Sequence, residues 1–534
     1  KFLPMATDNK YDRQLRLWGK HGQMRLSQSN IAVLGAGATA TETLKNLVLP
    51  GLGCFTVVDS AMVGAQDLGN NFFVTADAVG RPRAEVVTEL LLEMNPDDCQ
   101  GKFRVADPAD LVCTEPAFFL EFSLIIATQM SQAPLLRLAK ICWDANIPLV
   151  VVRSYGFLGY LRLCLPRHAI LETKPDTEFY DLRMSAPFPE LERFCSMVDL
   201  DALTNEAHSH TPYVVLLIKA ISLWRASHNG ALPKGFKEKG EFKKELMAMG
   251  RTHPDGAELN FVEANENAFR AYAAQAIDED VRAVFDTLPE PPITDFDIVA
   301  TALREFMQSN DGYPPLTGVI PDMHSDNRSY VALQQIYETK AAADCDAVAN
   351  LVSSILEAQS RPKDAIPHET IVTACRSAWI LKVVATKSLE EELVTGTPMI
   401  DPDLVYDMGR EELFAQSPLL WFIVLRAAAL FEMQTGHAPG VAGTDEGVLS
   451  EEATMVWELA QGIVEKAGVT VDQLTKDYAE EIVRQGAAEL HNTAAFMGGV
   501  ASQEVIKVIT HMWVPINNTF IFNGIGGTSQ AFAF

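Results

Sequence analysis

The sequence predicts an α/β protein in which a mostly parallel sheet, with helices on both faces, is interrupted by a large helical insertion. Apolar runs of strand length alternate with helical periodicity up to residue 166, and the same pattern returns near the C-terminus. Between these parts the strand pattern fades and helical periodicity dominates. We therefore expect a sheet domain made of residues 5–166 and 481–534, and an inserted, mainly helical domain at residues 167–480.

The alternation begins with a strand–turn–helix–strand unit. Residues 31–34 form a short apolar run, and a glycine turn, G-A-G, follows directly. Residues 41–49 carry apolar side chains on one helical face, and residues 55–58 form a second strand that ends at Asp59. This order and spacing are those of a Rossmann-like βαβ unit.

The glycine turn has the physical properties of a nucleotide-binding turn but lacks one of its residues. Gly35 and Gly37 let the backbone approach a phosphate, and the free amides of the first helical turn attract an anion. Asp59 can accept hydrogen bonds from ribose hydroxyls, but Ala40 stands where a third glycine belongs. The motif fits nucleotide binding, and it fits equally a Rossmann-like half that keeps the shape without a nucleotide.

The other elements follow from the same patterns. Further strands are predicted at residues 103–105, 124–127, 147–152, 160–165 and 519–522. Helices are predicted within the sheet domain at residues 81–94, 133–145 and 494–511. Helices are predicted within the insertion at residues 211–227, 297–308, 330–358, 369–386, 417–433 and 450–466. Residues 67–74 are expected to form an ordered loop with a buried aromatic anchor, and the chain after residue 522 a glycine-rich tail.

The composition disfavours two classes of function. The 534 residues contain 43 lysines and arginines against 70 aspartates and glutamates, which is a net charge of −27. Proteins that bind nucleic acid or anionic membrane surfaces depend on basic patches, so neither class is favoured. An acidic chain is compatible with a basic protein partner.

Cysteine usage and hydropathy indicate an intracellular protein. The eight cysteines include no C-x-x-C pair, so we expect neither a disulfide framework nor a metal site, and we expect a reducing compartment. No secretion signal is visible, and the apolar run at residues 418–431 is too short to span a bilayer and contains Arg426. We expect a soluble cytoplasmic protein without a membrane span, with nuclear localisation left open.

Four sequence blocks carry a resemblance to a known family. They are YDRQLRLWG at residues 11–19, GNNFF at 69–73, HSHTPYV at 208–214, and GAAELHNTAAFMGGVASQEVIKVIT at 486–510. With the βαβ unit they resemble the activating enzymes of ubiquitin-like proteins, and most closely the regulatory subunits of the heterodimeric members. The resemblance implies a Rossmann-like adenylation fold that is built from both ends of the chain and interrupted by the helical domain.

The resemblance also implies partners and cofactors. In such heterodimers one subunit binds ATP and magnesium, adenylates the C-terminal glycine of a small ubiquitin-like protein, and captures it as a cysteine thioester. The other subunit completes the dimer. For this chain the implied partners are a catalytic subunit and a ubiquitin-like protein of the Nedd/Rub type. ATP and magnesium are expected on the catalytic subunit, and no cofactor on this chain.

The residues identify which of the two subunits this chain resembles. The family's Asn-Arg pair beside the phosphates falls on Gly69 and Asn70, and its magnesium-binding aspartate falls on Thr128. Asp59 and a basic residue at Arg81 remain, but they cannot replace the missing groups. The resemblance therefore implies a degenerate, non-functional nucleotide site at Gly35, Gly37, Ala40, Asp59, Asn70, Arg81 and Thr128.

The thioester cysteine of the family is also absent from its expected setting. The family carries it in a Pro-x-x-Cys-Thr motif within the inserted domain. Cys113 is followed by Thr114, but Asp110 replaces the proline and the position lies in the first half of the sheet domain. The other cysteines have no such context, so each is read as a small buried apolar residue.

One arginine is expected to act chemically. Arg13 matches the arginine of the YDRQ block that, in such heterodimers, resembles an arginine finger reaching into the partner's ATP site. Arg16 is a less favoured candidate, and a structural arginine paired with a carboxylate is the alternative.

The resemblance implies that two further segments lie at the subunit boundary. His208 and His210 flank Ser209 and are read as structural, with a metal or acid–base pair as the alternative. Residues 318–331 form a proline-containing connector, which is either an interface segment or a plain interdomain loop. The expected partner-interface residues are His208, His210, Thr211, Tyr213, Pro321, Asp322 and Met323.

Three functions remain to be distinguished. The favoured one is a non-catalytic regulatory subunit that orients its partner and lends Arg13 to the partner's site. The second is an autonomous homodimeric adenylating enzyme of the sulfur-carrier-activating type, which needs an intact nucleotide site. The third is a nicotinamide-dependent oxidoreductase, which the βαβ unit and Asp59 suggest but which needs a general acid or hydride-site residues in a second domain.

Overall fold

The computed structural model describes residues 10–174, 180–253, 256–273, 277–406, 417–443 and 445–534. It divides into two compact units. The sheet unit lies within Lys1–Ile170 and Val383–Phe534, and the helical unit lies within Leu171–Lys382.

The sheet unit is built on one large sheet. The strands of the described chain are β1 Asn30–Leu34, β2 Cys54–Val58, β3 Gln100–Arg104, β4 Leu124–Thr128, β5 Leu149–Tyr155, β6 Leu158–Cys164, β7 His168–Ile170, β8 Thr252–His253, β9 Gly256–Ala257, β10 Lys382–Val384, β11 Thr519–Asn523 and β12 Thr528–Phe532. The sheet has the order β12-β11-β6-β5-β4-β1-β2-β3. Its strands from β5 to β3 are parallel, and β6, β11 and β12 continue it antiparallel. The order 3-2-1-4-5-6 confirms the Rossmann-like fold.

Helices cover both faces of this sheet. The helices of the sheet unit are α1 Asp12–Gln28, α2 Ala38–Val48, α3 Asp67–Asn70, α4 Arg83–Leu92, α5 Pro108–Thr114, α6 Gln132–Asp144, α17 Asp403–Tyr406, α18 Pro418–Thr435, α19 Glu446–Ala467, α20 Lys476–Gln485 and α21 His491–Thr510. Short 3₁₀ helices lie at Ala76–Ala78 and Pro116–Glu121, and a π-helix lies at Glu391–Thr395. In β1, Val33 enters a core with α2 and α21, whereas Leu34 enters the core with α6 on the other face.

The helices after residue 383 belong to the sheet unit, which corrects the expected boundary at residue 480. Trp421 and Phe431 of α18 and Tyr478 of α20 share one core with Ile521 of β11 and Phe532 of β12. These helices bury their apolar faces on the antiparallel end of the sheet, so the inserted unit ends at Lys382.

Helix α18 is strongly apolar. Over 18 residues it is long and apolar enough, by length and composition, to be considered as a membrane span. However, 56% of that window is buried inside the structure, and the helix contains Arg426. In this structure α18 is a core helix of the sheet unit.

The helical unit is built from ten helices in the residues described. They are α7 Pro189–Met197, α8 Asn205–Ser209, α9 Tyr213–Ser227, α10 Gly235–Ala248, α11 Leu259–Glu266, α12 Phe269–Tyr272, α13 Glu279–Asp286, α14 Asp295–Gln308, α15 Asn327–Ala358 and α16 His368–Arg376. Helix α9 is buried along most of its length, and Trp224 packs there with Phe242, Phe261 and Tyr337.

Three local predictions were wrong. The helix expected at residues 369–386 ends at Arg376, and the β-branched pair Val383-Val384 enters β10 instead. Helix α19 begins at Glu446 rather than at Ser450, because Asp445 caps its first turn by accepting from the Gly447 amide at 2.9 Å. The expected tail contains β12, since a turn after Asn523 folds it back onto β11.

Candidate functional site

The glycine turn lies where β1 and β4 diverge, which is the ligand-binding position of this sheet topology. Gly35 has φ +97°, and its amide donates to the Val58 carbonyl at 2.8 Å. A Cβ on Gly35 would lie 2.5 Å from Oγ1 of Thr128. Only glycine fits this position, both for its backbone conformation and for its space.

The anion-binding position at the start of α2 is already filled by a carboxylate of this chain. Oε1 of Glu489 accepts from the Thr39 amide at 3.1 Å and from the Thr39 hydroxyl at 2.5 Å. A Cβ on Gly37 would lie 2.2 Å from Oε2 of Glu489. The Glu489 carboxylate therefore occupies the place where the helix N-terminus would hold a phosphate.

The second acid of the motif is also engaged within the chain. Oδ2 of Asp59 accepts from the Ala36 amide at 2.7 Å and from Nη2 of Arg83 at 2.7 Å. Arg83 also pairs with Asp67 at 3.0 Å. Burial alone would lower the pKa of Arg83, but the Asp59 and Asp67 carboxylates raise it above its ordinary value. The carboxylate expected to accept ribose hydroxyls is thus neutralised by an arginine.

The GNNFF block closes over the same turn. Nδ2 of Asn70 donates to the Glu489 carbonyl at 2.9 Å, and Nδ2 of Asn71 donates to the Ala36 carbonyl at 3.2 Å. Phe73 is buried, as expected for the anchor of this segment, whereas Phe72 is exposed. The amide of Asn70 holds the Glu489 segment in place.

The remaining positions of the degenerate motif are structural in this chain. Ala40 is buried in the core between α2 and α21. Thr128 donates its hydroxyl to the Leu34 carbonyl at 2.8 Å, at the strand end where the family carries a carboxylate. Arg81 points to Glu85 and Glu89 of α4, so Arg83 and not Arg81 is the basic residue beside Asp59. In the described parts of the chain, no group of three or more His, Cys, Asp or Glu side chains could hold a metal ion.

Arg13 and Arg16 differ in their surroundings. Both lie on the exposed side of α1. Arg16 pairs with Asp12 at 2.9 Å, whereas no ion pair of Arg13 is found among the residues that the structure describes. Of the two candidate arginines, Arg13 is the one presented to solvent without a carboxylate.

The HSH segment is anchored inside the helical unit. Nδ1 of His208 lies 2.9 Å from Oε1 of Glu258, and both side chains are buried. Nδ2 of Asn260 donates to the carbonyls of His208 and Thr211. Burial also raises the pKa of Tyr213 to about 12. His208, Thr211 and Tyr213, expected at the partner interface, therefore lie behind the surface of the helical unit rather than on it.

The other expected interface residues lie together. The rings of His210 and His324 stack at 5.0 Å, and the Asp326 amide donates to the His210 carbonyl at 3.2 Å. Asp322 is exposed, and Met323 packs against the core of the helical unit. The structure thus joins the HSH segment to the connector. Pro321 is half-buried beside Asp322.

Of the four cysteines considered as nucleophiles, three are buried, namely Cys195, Cys345 and Cys375. Burial raises the pKa of Cys195 to about 12. Cys113 is exposed on α5, where its Sγ accepts from Nη1 of Arg137 at 2.7 Å.

Comparison with known proteins agrees with these features. The ThiF family pattern matches residues 11–533. The chain is 39% identical to the "NEDD8-activating enzyme E1 regulatory subunit" of Xenopus laevis over 98% of each chain. It is also 39% identical to the "NEDD8-activating enzyme E1 regulatory subunit AXR1" of Arabidopsis thaliana, over 98% of this chain and 95% of that one. This chain belongs to the ThiF family and, within it, to the NEDD8-activating enzyme regulatory subunits.

One structural similarity is weaker. The crystal structure of E. coli MccB with succinimide matches 29% of this chain and 48% of that chain, at 18% identity and a TM-score of 0.26. The assignment to the regulatory-subunit family rests on the full-length sequence similarity instead. That similarity confirms the resemblance and does not favour a homodimeric sulfur-carrier-type enzyme or an oxidoreductase.

Sequence reasoning missed three charged residues, two at the glycine turn and its acid and one at the HSH segment. They are Glu489 at the glycine turn, Arg83 at Asp59, and Glu258 at His208. Each is a single charged residue without a motif of its own. Only for Glu489 was a signal available, because it lies inside the C-terminal block that carried the resemblance.

Replacing Glu489 by alanine tests the role of its carboxylate. We expect the sheet unit to lose about 1 kcal/mol, because the start of α2 loses its anion. Inorganic phosphate should then raise the melting temperature of the variant, but not that of the unchanged protein, when compared with chloride at equal ionic strength. Glu480→Ala, on the exposed face of α20, is the matched control. Equal responses to phosphate in all three proteins would contradict the assignment.

Proposed function

We propose that this chain is the non-catalytic subunit of a heterodimeric activating enzyme. With a catalytic partner it supports ATP-dependent adenylation of the C-terminal glycine of a NEDD8-type ubiquitin-like protein. The activated protein then passes to a cysteine thioester on the partner. In this proposal ATP and magnesium bind the partner, and this chain holds no nucleotide and is no enzyme on its own.

The observation that carries the proposal is the filled glycine turn. Glu489 lies at the phosphate position, and Arg83 engages the Asp59 carboxylate. An ATP molecule at this turn would bring its own negative charge against the Glu489 carboxylate, in a crevice where Thr128 offers no second charge for a magnesium ion. The Rossmann-like fold is retained, but a side chain of the protein itself, Glu489, occupies the ligand position.

The chain's contribution to the reaction is assigned to Arg13. A guanidinium keeps its charge at neutral pH and donates several hydrogen bonds to phosphate oxygens. Arg13 is exposed near the start of α1, where Lys10 pairs with Asp98 at 2.6 Å and Tyr11 donates to the same carboxylate at 2.8 Å. These contacts hold the helix start and leave Arg13 available to a partner.

The partner surface of the helical unit is assigned to the connector. Asp322 is exposed, Pro321 and His210 are half-buried, and the His324 ring stacks on that of His210. The buried residues His208, Thr211 and Tyr213 are assigned to shaping this surface.

An ATP–pyrophosphate exchange assay with the ubiquitin-like protein tests the proposed function. The chain alone should show no exchange above background, and addition of the catalytic partner should produce it. A fluorescent ATP analogue should likewise show no binding to the chain alone. Exchange by the chain without its partner would overturn the proposal, since it would mean that the glycine turn accepts ATP despite Glu489.

A further inference from the structure

Two thiols face one groove in the helical unit. The groove has a volume of about 470 Å³ and lies between α15, α16 and residues 316–320. Its walls include Cys345 of α15 and Cys375 of α16, together with His368 and Arg376. This volume is large enough to admit a small molecule.

The two thiols lie on packed helices, line the same groove and influence each other's acidity. Cys375 lowers the pKa of the Cys345 thiol, although burial raises that pKa. Cys345, together with burial, raises the pKa of Cys375. Arg376 lowers the pKa of Cys345 further, whereas Asp344 and Asp346 raise it. Cys345 is therefore the more acidic thiol of the pair.

The pair differs from the other cysteines that were considered as nucleophiles. Cys195 is buried in the same unit, and burial raises its pKa to about 12. Cys113 is exposed in the sheet unit, and its contact is to Arg137 rather than to a second thiol. At Cys345 and Cys375, a thiol with a lowered pKa, a second thiol and a groove that both line occur together.

We propose that Cys345 and Cys375 form an oxidation site at which hydrogen peroxide produces a reversible disulfide. The Cys345 thiolate attacks one peroxide oxygen, so an S–O bond forms, the O–O bond breaks, and hydroxide leaves and takes up a proton as water. Cys375 then gives up its proton and attacks the Cys345 sulfur. The S–S bond forms, the S–O bond breaks, and a second water leaves. Both sulfurs are oxidised, and one peroxide is reduced to two waters.

The disulfide connects two helices that wall the groove. Both cysteines line the groove, and the covalent bond requires their sulfurs to approach to about 2.05 Å. The bond closes the chain between α15 and α16 and stabilises the helical unit against unfolding. This inference depends on no part of the proposed function.

Peptide mapping after peroxide treatment tests the site in the full chain. Trypsin separates the two cysteines, because it cleaves after Lys340, Lys363 and Arg376. We expect peptides 341–363 and 364–376 to appear joined, with the loss of two hydrogen atoms, and to separate again after dithiothreitol. Free thiols are blocked by alkylation under denaturing conditions before digestion, so no variant is needed for this result.

Three variants provide the controls. Cys345→Ser and Cys375→Ser should each abolish the joined peptides, whereas Cys113→Ser, which removes the exposed thiol, should leave them unchanged. Two results would overturn the proposal. One is full alkylation of both cysteines after peroxide treatment. The other is conversion of Cys345 to sulfinic acid while Cys375 stays alkylatable, because the pair would then not react as a unit.

Discussion

Arg13→Ala in the complete heterodimer is expected to lower ATP–pyrophosphate exchange by about 10³-fold or more, the scale on which arginine fingers act. The proposed guanidinium offsets negative charge on the phosphates in the partner's site, and alanine offers no charge and no donor. Arg13→Lys should recover only part of the rate, because an ammonium lacks the planar donor fork. The measurement is the exchange rate at saturating ATP and ubiquitin-like protein.

The matched control for Arg13 lies on the same helix. Arg16→Ala should leave exchange nearly unchanged, because Arg16 is held by Asp12 at 2.9 Å. Association of the two subunits should be equal for both variants when measured by light scattering. An Arg13→Ala complex with full exchange, or one that fails to assemble, would contradict the finger role. Loss of exchange in the Arg16 variant alone would move the role to Arg16.

Glu392→Ala is expected to be the most destabilising of the substitutions considered, at about 3–5 kcal/mol for the sheet unit. Arg162 of β6 is fully buried, and its Nε donates to Oε2 of Glu392 at 2.7 Å. Nη2 of Arg162 also donates to the Lys387 carbonyl at 3.0 Å. Removing Glu392 leaves the guanidinium charge buried with carbonyl groups as its remaining partners. Hydrogen exchange of the β6 amides reports this loss for the sheet unit separately.

The charge argument for Glu392 has its own control. Arg162→Met combined with Glu392→Leu removes both charges and keeps apolar volume, so the double variant should be far more stable than Glu392→Ala. Asp144→Ala, which breaks the exposed pair with Lys140, should have no measurable effect on β6 exchange. A cost for Glu392→Ala below about 1 kcal/mol would show that solvent reaches the guanidinium.

Much of the sheet unit could be predicted because its signals are local. The apolar run of β1, the glycine turn and the one-sided helix α2 each depend on neighbouring residues, so their order predicts the βαβ unit. Helices in both units were predicted for the same reason, although the start of α19 at Glu446 and the end of α16 at Arg376 were misplaced. Periodicity identifies the interior of a helix more securely than its ends.

Periodicity does not identify the core into which a helix packs. Helices α18 to α20 have the same kind of apolar face as α9, yet Trp421 and Tyr478 pack on the sheet with Ile521. A helix can bury its apolar face against any apolar surface. The local sequence therefore could not show that residues 383–480 pack on the sheet and not within the insertion. The division at Lys382 and Val383 came from the tertiary contacts.

The sequence by itself determined the Rossmann-like frame, the family resemblance and the absence of the usual residues at Ala40 and Thr128. The tertiary structure decided what replaces them. Glu489 reaches Thr39 across 450 residues, and Arg83 pairs with Asp59 whereas Arg81 pairs with Glu85 and Glu89. A charged side chain leaves no periodic signal, and its partner is set by where the folded chain brings it. The contacts that fill the glycine turn could therefore be seen only in the structure.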